Sequence, residues 1–270
     1  TSGFQLASVC GPALGGVVIA GFGCAWPVYA LDHLTSLVNA LCLASLRKPK
    51  GQFSREPLSK ETLLAGLRFV WSTKVILGAV TLDLFAVLFG GVQALLPVYA
   101  LDILHVGPQG LGWLRATESL GALLMALTMA HRPPIRNAGM AMLLSVLGFG
   151  ASIVLFGFST NFGLSLVALA FCGAFDNISV VIRHTLIQLR TPDEMRGRVA
   201  AVNMVFIASS NELGQLESGV VASLCGTVFA AVSGGLGTIL VVLFVALRWP
   251  ELRRLGALRE DVQPKPQAAD

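Results

Sequence analysis

Eight polar side chains that could bind a proton or an ionic group interrupt the long apolar stretches of this 270-residue sequence. A charged side chain at the centre of a membrane span costs about 2.5–3.5 kcal/mol on insertion scales, so such residues mark ion, proton or substrate pathways. Carboxylates can bind and release protons, and arginine can bind an anionic group. The set therefore predicts a site for protons and a polar or zwitterionic small molecule. Its members are Asp83, Arg115, Glu118, Asp176, Arg183, Asn211, Glu212 and Glu217.

The spacing of these charges leaves a purely structural role open for some of them. Arg115 and Glu118 are three positions apart, so they can pair on one helix face and neutralise each other. Asp176 and Arg183 also share a helix face, although Arg183 could instead extend to the edge of the membrane. Asp83, Asp176 and Glu212 have no opposite charge within one turn of their own segments, which favours a role in binding substrate or protons.

Catalytic and metal-binding patterns are not found in this sequence. The four histidines have no neighbouring metal-ligand partners, and the five cysteines mostly lie inside apolar stretches. There is no Ser-His-Asp, His-Glu-x-x-His or phosphate-loop pattern. We therefore expect no enzymatic activity, no metal, no cofactor and no use of ATP.

Long apolar segments must position the polar side chains. Hydrophobic residues make up 54% of the chain and charged residues 13%, against about 25% charged residues in a typical soluble domain. A helix needs about 20 apolar residues to cross the bilayer. The sequence therefore predicts an all-α, polytopic membrane helix bundle with about eight transmembrane helices. The spans lie near 4–22, 27–46, 75–99, 109–130, 138–158, 163–189, 199–224 and 227–248.

The basic residues indicate how the spans are oriented. Seventeen of the 19 Lys and Arg residues fall in four clusters, at alternate gaps between the spans. This positive-inside pattern predicts a multi-pass protein of the bacterial inner membrane with both termini of the chain in the cytoplasm. Because the clusters flank apolar segments and do not share one soluble face, we expect the lipid bilayer and not nucleic acid as a partner.

The longest gap divides the chain into unequal parts. Residues 1–46 hold two spans, 47–74 form a cytoplasmic linker, 75–248 form a six-helix bundle and 249–270 form a cytoplasmic tail. Within the linker, Ser59 to Trp71 has the pattern of an amphipathic helix with a serine N-cap. We expect this helix to lie on the membrane surface.

A glycine-rich string occurs in the first span, where Cys10 to Gly16 read C-G-P-A-L-G-G. Gly11, Gly15 and Gly16 form a face of small residues that another helix can approach closely, and Pro12 bends the helix. The string resembles the G-P-x-x-G-G element, or antiporter motif, in the fifth helix of exporters of the major facilitator superfamily.

A second motif occupies the turn before the seventh span, where Thr191 to Val199 read T-P-D-E-M-R-G-R-V. Its arginines can bind acidic side chains, helix carbonyls or anionic lipid, so the motif is either a topology anchor or a latch that locks one conformation. Together with residues 110–122 it resembles the superfamily branch that contains the enterobactin exporter and related efflux proteins. The motif residues of interest are Asp193, Arg196, Gly197 and Arg198.

The resemblance covers residues 1–250 and implies a major facilitator fold. It implies that the spans are helices five to twelve of a twelve-helix protein, which exports a siderophore or a drug-like small molecule in exchange for protons. Transport would occur by alternating access at a site between two bundles. Alternatives are an uptake transporter of the same fold and a membrane scaffold or sensor that does not transport.

The start of the chain carries one more expectation. It begins with Thr and enters an apolar stretch without the charged region or cleavage site of a signal peptide. We therefore expect the natural protein to begin earlier, and the resemblance implies that four helices precede this chain. We also expect the chain alone to insert into membranes but to be poorly stable and inactive.

Overall fold

The structure is a computed structural model that describes residues 2–45, 60–133 and 135–256. Every regular element within these ranges is helical. Residues 46–59, which include the first part of the predicted 47–74 linker, and most of the predicted 249–270 tail, from residue 257 onward, lie outside the described residues. The α-helices are α1 (Ser2–Phe22), α2 (Trp26–Ser45), α3 (Lys60–Ser72), α4 (Lys74–Phe89), α5 (Leu96–Val98), α6 (Gly107–His131), α7 (Ala138–Phe158), α8 (Phe162–Arg190), α9 (Arg196–Cys225), α10 (Thr227–Arg248) and α11 (Pro250–Arg253).

The six long helices from α4 to α10 form the bundle that holds the site. Helix α8 packs against both α6 and α7, while α10 packs against α4, α7 and α9. The largest fully buried side chains are aliphatic and aromatic, including Tyr99, Phe156 and Leu186. Since lipid tails are as apolar as these side chains, close packing rather than the hydrophobic effect holds such helices together in a membrane.

Helix α4 is interrupted before it reaches the end of its predicted span. Two consecutive glycines follow Phe89, and Pro97 cannot donate the backbone hydrogen bond that a regular helix needs at that position. The chain instead continues through a 3₁₀ turn at Val92–Ala94 and a π-helical turn at Tyr99–Ile103. The interruption reorients the residues between the glycines and the proline, and Gln93 is one of them.

Glycine at position 91 is required by the contact between this interruption and α9. A methyl group at Gly91 would overlap the carbonyl group of Gly214, and one at Gly214 would lie 2.6 Å from the carbonyl oxygen of Val87. The two backbones can approach this closely only without side chains. The contact fixes α9 beside the broken end of α4.

One glycine of the predicted small-residue face of α1 contacts another helix in the described part of the chain. Gly16 lies against Gly112 of α6, where a methyl group on Gly16 would be 3.0 Å from the Cα atom of Gly112 and 2.9 Å from the carbonyl oxygen of Pro108. Gly11 and Gly15 have no such neighbour within 4 Å among the described residues. Gly16 alone thus makes the predicted close approach in this structure.

Helix α3 packs on the protein. It contacts α9 and α4, and Val70 is buried in a cluster with Ile76 and Val199. The Val70 face of this helix therefore packs on protein, while its position at the membrane surface stays a prediction. Trp71, the last residue of the predicted amphipathic helix, is 59% exposed.

Four helical segments of the described residues are long and apolar enough to cross a membrane: Lys74–Ile103, α7, α8 and α10. Helices α6 and α9 are longer than 18 residues but carry several charged or amide side chains, which lowers their apolar character. Each of the eight predicted spans nevertheless contains a helix. The described part of the chain is an all-α bundle of membrane-protein type.

Candidate functional site

Five of the eight predicted polar residues line one cavity of about 150 Å³. The cavity lies where α4, α8 and α9 meet, with the middle of α6 on one side. Its lining includes Phe149 and Ile207 as apolar walls, so the polar groups are grouped within an otherwise apolar surrounding. The ionisable and amide residues in the lining are Asp83, Gln93, Glu118, Asp176, Arg183, Asn211 and Gln215.

An ion pair between α4 and α8 is the centre of the site. Arg183 Nη1 lies 2.8 Å from Asp83 Oδ2, and only 3% and 8% of the two side chains are exposed. Arg183 also donates a hydrogen bond to Asn203 Oδ1 on α9 at 3.4 Å. One guanidinium group therefore links three helices.

The surroundings of Arg183 bear on the two alternatives left open for it. Its side chain is almost fully enclosed by protein and lines the cavity, which favours a role in the cavity over an extended position at the membrane edge. Arg183 and Asp176 both line the cavity, as their shared helix face predicted. The ion pair of Arg183, however, forms with Asp83. The partner of Asp83 comes from a different helix and is distant in sequence.

Asp176 differs from Asp83 in having no described partner. Its half-buried carboxylate lines the cavity but forms no hydrogen bond or ion pair with any residue in the described part of the chain. It lies about 10 Å along the α8 axis from Arg183, at the helix rise of 1.5 Å per residue. Of these two aspartates, one is thus neutralised by an ion pair and the other is available to a proton or a cation.

Glu118 pairs with an amide rather than with the arginine of its own helix. Both carboxylate oxygens of Glu118 accept hydrogen bonds from Gln93 Nε2 at 3.3 Å. Arg115 is exposed, does not line the cavity and forms no ion pair with Glu118 within 4.0 Å. The described contacts therefore show Glu118 hydrogen-bonded to the broken end of α4 and not in a close ion pair with Arg115, so its neutralisation by Arg115 stays a prediction.

The acidic residues of α9 do not reach the cavity. Glu212 is exposed, and Glu217 is half-buried and accepts a 3.4 Å hydrogen bond from Ser218 Oγ. Asn211 does line the cavity, with its side-chain amide donating to the carbonyl oxygen of Ile207 at 2.8 Å. Neighbouring positions on a helix face different directions, so Asn211 and Glu212 cannot both point into one small cavity.

Two amide residues of the site were missed by the sequence argument. Gln93 follows the paired glycines Gly90 and Gly91, and this helix-breaking pair was the available signal. Gln215 lies four positions after Asn211 and shares its helix face, which is a detectable spacing. Both lie in the cavity lining.

The turn motif lies outside the cavity. Asp193–Met195 form a 3₁₀ turn, and Arg196 Nη1 lies 2.7 Å from Asp193 Oδ1 in an exposed pair. The carbonyl group of Arg198 packs against Gly66 of α3. The motif thus joins the start of α9 to the helix that precedes α4. A topology anchor and a latch both remain compatible with these contacts.

The chemistry available at the site is proton exchange and the binding of ionic groups. Within the described residues, no group of three or more His, Cys, Asp or Glu side chains could hold a metal ion. The arginine can bind an anionic group if its pair with Asp83 opens, and Asp176 can bind a proton.

The chain is similar to known membrane proteins. Residues 1–268 match the family model described as transmembrane secretion effector. The chain is 32% identical over 252 residues to the enterobactin exporter of Citrobacter koseri, an alignment that covers 93% of this chain and 60% of the relative. It is 31% identical over 252 residues, with the same coverage, to the enterobactin exporters of Escherichia coli O139:H28 and Escherichia fergusonii.

The chain thus spans about 60% of the length of the curated relatives it matches. The family match, in contrast, extends over nearly the whole chain. The all-helical architecture of the described residues is consistent with the helical bundle of the major facilitator superfamily, and the polar groups of the cavity lie between helices. The chain belongs to the transmembrane secretion effector family of the major facilitator superfamily.

Proposed function

We propose that the protein is a secondary transporter that exports a small molecule across the bacterial inner membrane in exchange for protons. The observation that carries the proposal is the coexistence of the Asp83–Arg183 ion pair and the unpaired Asp176 in one cavity. The exporter relatives support the direction of transport. Both termini of the chain would lie in the cytoplasm, as the positive-inside pattern predicts.

The unpaired carboxylate of Asp176 provides a simple means of coupling. It would bind either a proton or a cationic group of the substrate, but not both at once. The Asp83–Arg183 ion pair would hold its two charges on the same wall of the cavity, beside Asp176. Binding of a proton and binding of substrate would then oppose each other at Asp176, as antiport requires.

The size of the cavity limits what this wall can bind. Pockets that enclose a drug-sized ligand have volumes of about 300–1,000 Å³, whereas this cavity measures about 150 Å³. It can therefore receive protons and one polar group of a substrate but not a whole siderophore or drug. In a major facilitator protein the rest of the site would come from a second bundle across the central cavity.

Enterobactin secretion by cells that lack their own exporter tests the proposal. The complete gene product should restore secretion, the Asp176→Asn variant should lose most of it, and the exposed control Asp102→Asn should retain it. Normal secretion by both Asp176→Asn and Asp83→Asn would contradict coupling through this cavity. Failure of the wild-type protein to move enterobactin or drug-like compounds in either direction would favour a scaffold or sensor, and inward movement would favour uptake.

A further inference from the structure

A second, much larger cavity has a lining that shares no residue with the polar site. It measures about 960 Å³ and is a groove between α6 and α7 with α8 as its floor. Helices α6 and α7 follow each other in the chain, yet they barely touch because each packs against α8. Phe175, Ile178 and Ile182 of α8 lie along the floor.

The walls of this α6–α7 groove offer almost no free hydrogen-bonding groups. The hydroxyl of Thr128 donates to Leu124 O at 2.7 Å, that of Ser145 to Met142 O at 2.8 Å and that of Thr185 to Val181 O at 2.8 Å. Each hydroxyl is therefore satisfied within its own helix. A polar solute would lose its hydration in this groove without gaining partners, while a hydrocarbon chain would not.

Positive charge is confined to one end of the groove. Arg132 is exposed and lies in the groove lining at the end of α6, and the lining contains no Asp or Glu. The cationic end is at the turn that the positive-inside pattern assigns to the cytoplasm. The groove is therefore complementary to a molecule with a long apolar body and one anionic end.

The length of the groove matches one leaflet of a bilayer. Its floor extends from Phe175 to Leu189, a helix rise of about 21 Å. Half of a typical hydrocarbon core is about 15 Å thick, and the headgroup region adds several ångströms. An acyl chain that starts beside Arg132 would thus end near the middle of the membrane, alongside Phe175.

We propose that the α6–α7 groove is a binding site for an acidic glycerophospholipid, with the phosphate headgroup at Arg132 and one acyl chain along α8. The site is separate from the polar cavity, and the proposal does not depend on the proposed export. Only the assignment to the cytoplasmic leaflet depends on the proposed orientation. The bound lipid would fill the gap that α6 and α7 leave between them.

Native mass spectrometry of the purified complete gene product tests this site. Equal amounts of dioleoyl phosphatidylglycerol and dioleoyl phosphatidylcholine would compete for the protein. A basic residue near a charged headgroup contributes about 1 kcal/mol, so we expect about fivefold preference for the acidic lipid. Arg132→Gln should reduce the preference to near unity, whereas Arg253→Gln, an exposed charge outside the groove, should not change it.

The groove itself is tested by filling it. Thr128→Trp places a large side chain at an exposed position in the groove lining and should reduce retention of both lipids several-fold. Leu240→Trp, at a 64% exposed position on α10, is the matched control and should retain them. Equal retention of the two lipids by the wild type, or unchanged preference in Arg132→Gln, would overturn the proposal. Loss of substrate export in Thr128→Trp with unchanged lipid retention would instead identify the groove as a substrate path.

Discussion

The Asp83–Arg183 ion pair shows how a single contact can be both costly and necessary. Removing two charges from water costs several kcal/mol, and the pair regains this energy only while both partners are present. Asn203 adds a hydrogen bond that holds the guanidinium group in place. A pair of this kind is a reasonable switch, because protonation of one partner changes the energy of the other by a large amount.

We expect removal of one partner to destabilise the protein more than removal of both. Asp83→Asn or Arg183→Gln alone leaves an unpaired buried group and should cost about 3–5 kcal/mol in the free energy of unfolding. The double variant should recover part of that loss. Thermal unfolding in detergent micelles measures the difference.

The exposed pair between Lys74 and Glu251, at 3.4 Å, provides the control for this measurement. Its removal should change stability by at most about 1 kcal/mol, because solvent already screens the two charges. Equal effects for the exposed and the buried pair would contradict the burial of Asp83 and Arg183.

Glu118 allows a second test between two possible partners. A double-mutant cycle for Gln93→Ala and Glu118→Ala should give a coupling energy of about 0.5–3 kcal/mol, as expected for residues in contact. The cycle for Arg115→Ala and Glu118→Ala should give a value near zero. A larger coupling in the Arg115 cycle would restore the pairing that the sequence suggested.

The site residues illustrate which parts of a binding site a sequence can reveal. Rarity identified Asp83, Asp176 and Arg183, because charges inside apolar helices are expensive and therefore conspicuous. Their pairing could not be predicted, because spacing relates residues within one helix only and says nothing about which helices are neighbours. Glu212 was misplaced for a related reason, since the direction that α9 faces is set by its contact with Gly91 rather than by its own sequence.

At the scale of elements, glycines decide how closely helices approach each other. Gly16 of α1 faces Gly112 of α6, and this contact joins the first helix to the bundle. The motif string predicted a close approach but not which of its three glycines would make it. Helix α4 carries the same lesson, since 75–99 was predicted as one span, and neither its interruption at Gly90 and Gly91 nor the contact with Gly214 was foreseen.

Alanine substitutions in α1 test whether a glycine is needed for helix packing or only lowers the helix propensity of the segment. Gly16→Ala should destabilise the protein by about 1–3 kcal/mol, because its methyl group would overlap the backbone of α6. Gly15→Ala should be neutral or slightly stabilising, because alanine favours helix and nothing lies within 4 Å of the new methyl group. Thermal unfolding of both variants measures the contrast, and equal effects would mean that α1 does not pack as described.

At the scale of the whole molecule, the fold was the most predictable property. Apolar segments of the correct length and their basic flanks predicted eight helices, and the structure contains a helix in each segment. Helices α6 and α9 fall short of the usual apolar criterion because they carry polar residues, several of which lie in the site. The same polar residues therefore line the site and lower the apolar character of these two helices.

The orientation of the whole chain is the remaining property that the basic residues predict. In a variant without native cysteines, single cysteines at Leu101 or Thr160 should react with an impermeant thiol reagent added to intact cells. Both residues are exposed in gaps that lack Lys and Arg, so the reagent should reach them from outside. A cysteine at Glu194, exposed beside Arg196 and Arg198, should react only after the membrane is permeabilised, as should one at Gln52.

Protection of Leu101 and Thr160 together with labelling of Glu194 in intact cells would reverse the orientation. The groove at Arg132 would then face the outer leaflet, with its lipid preference unchanged.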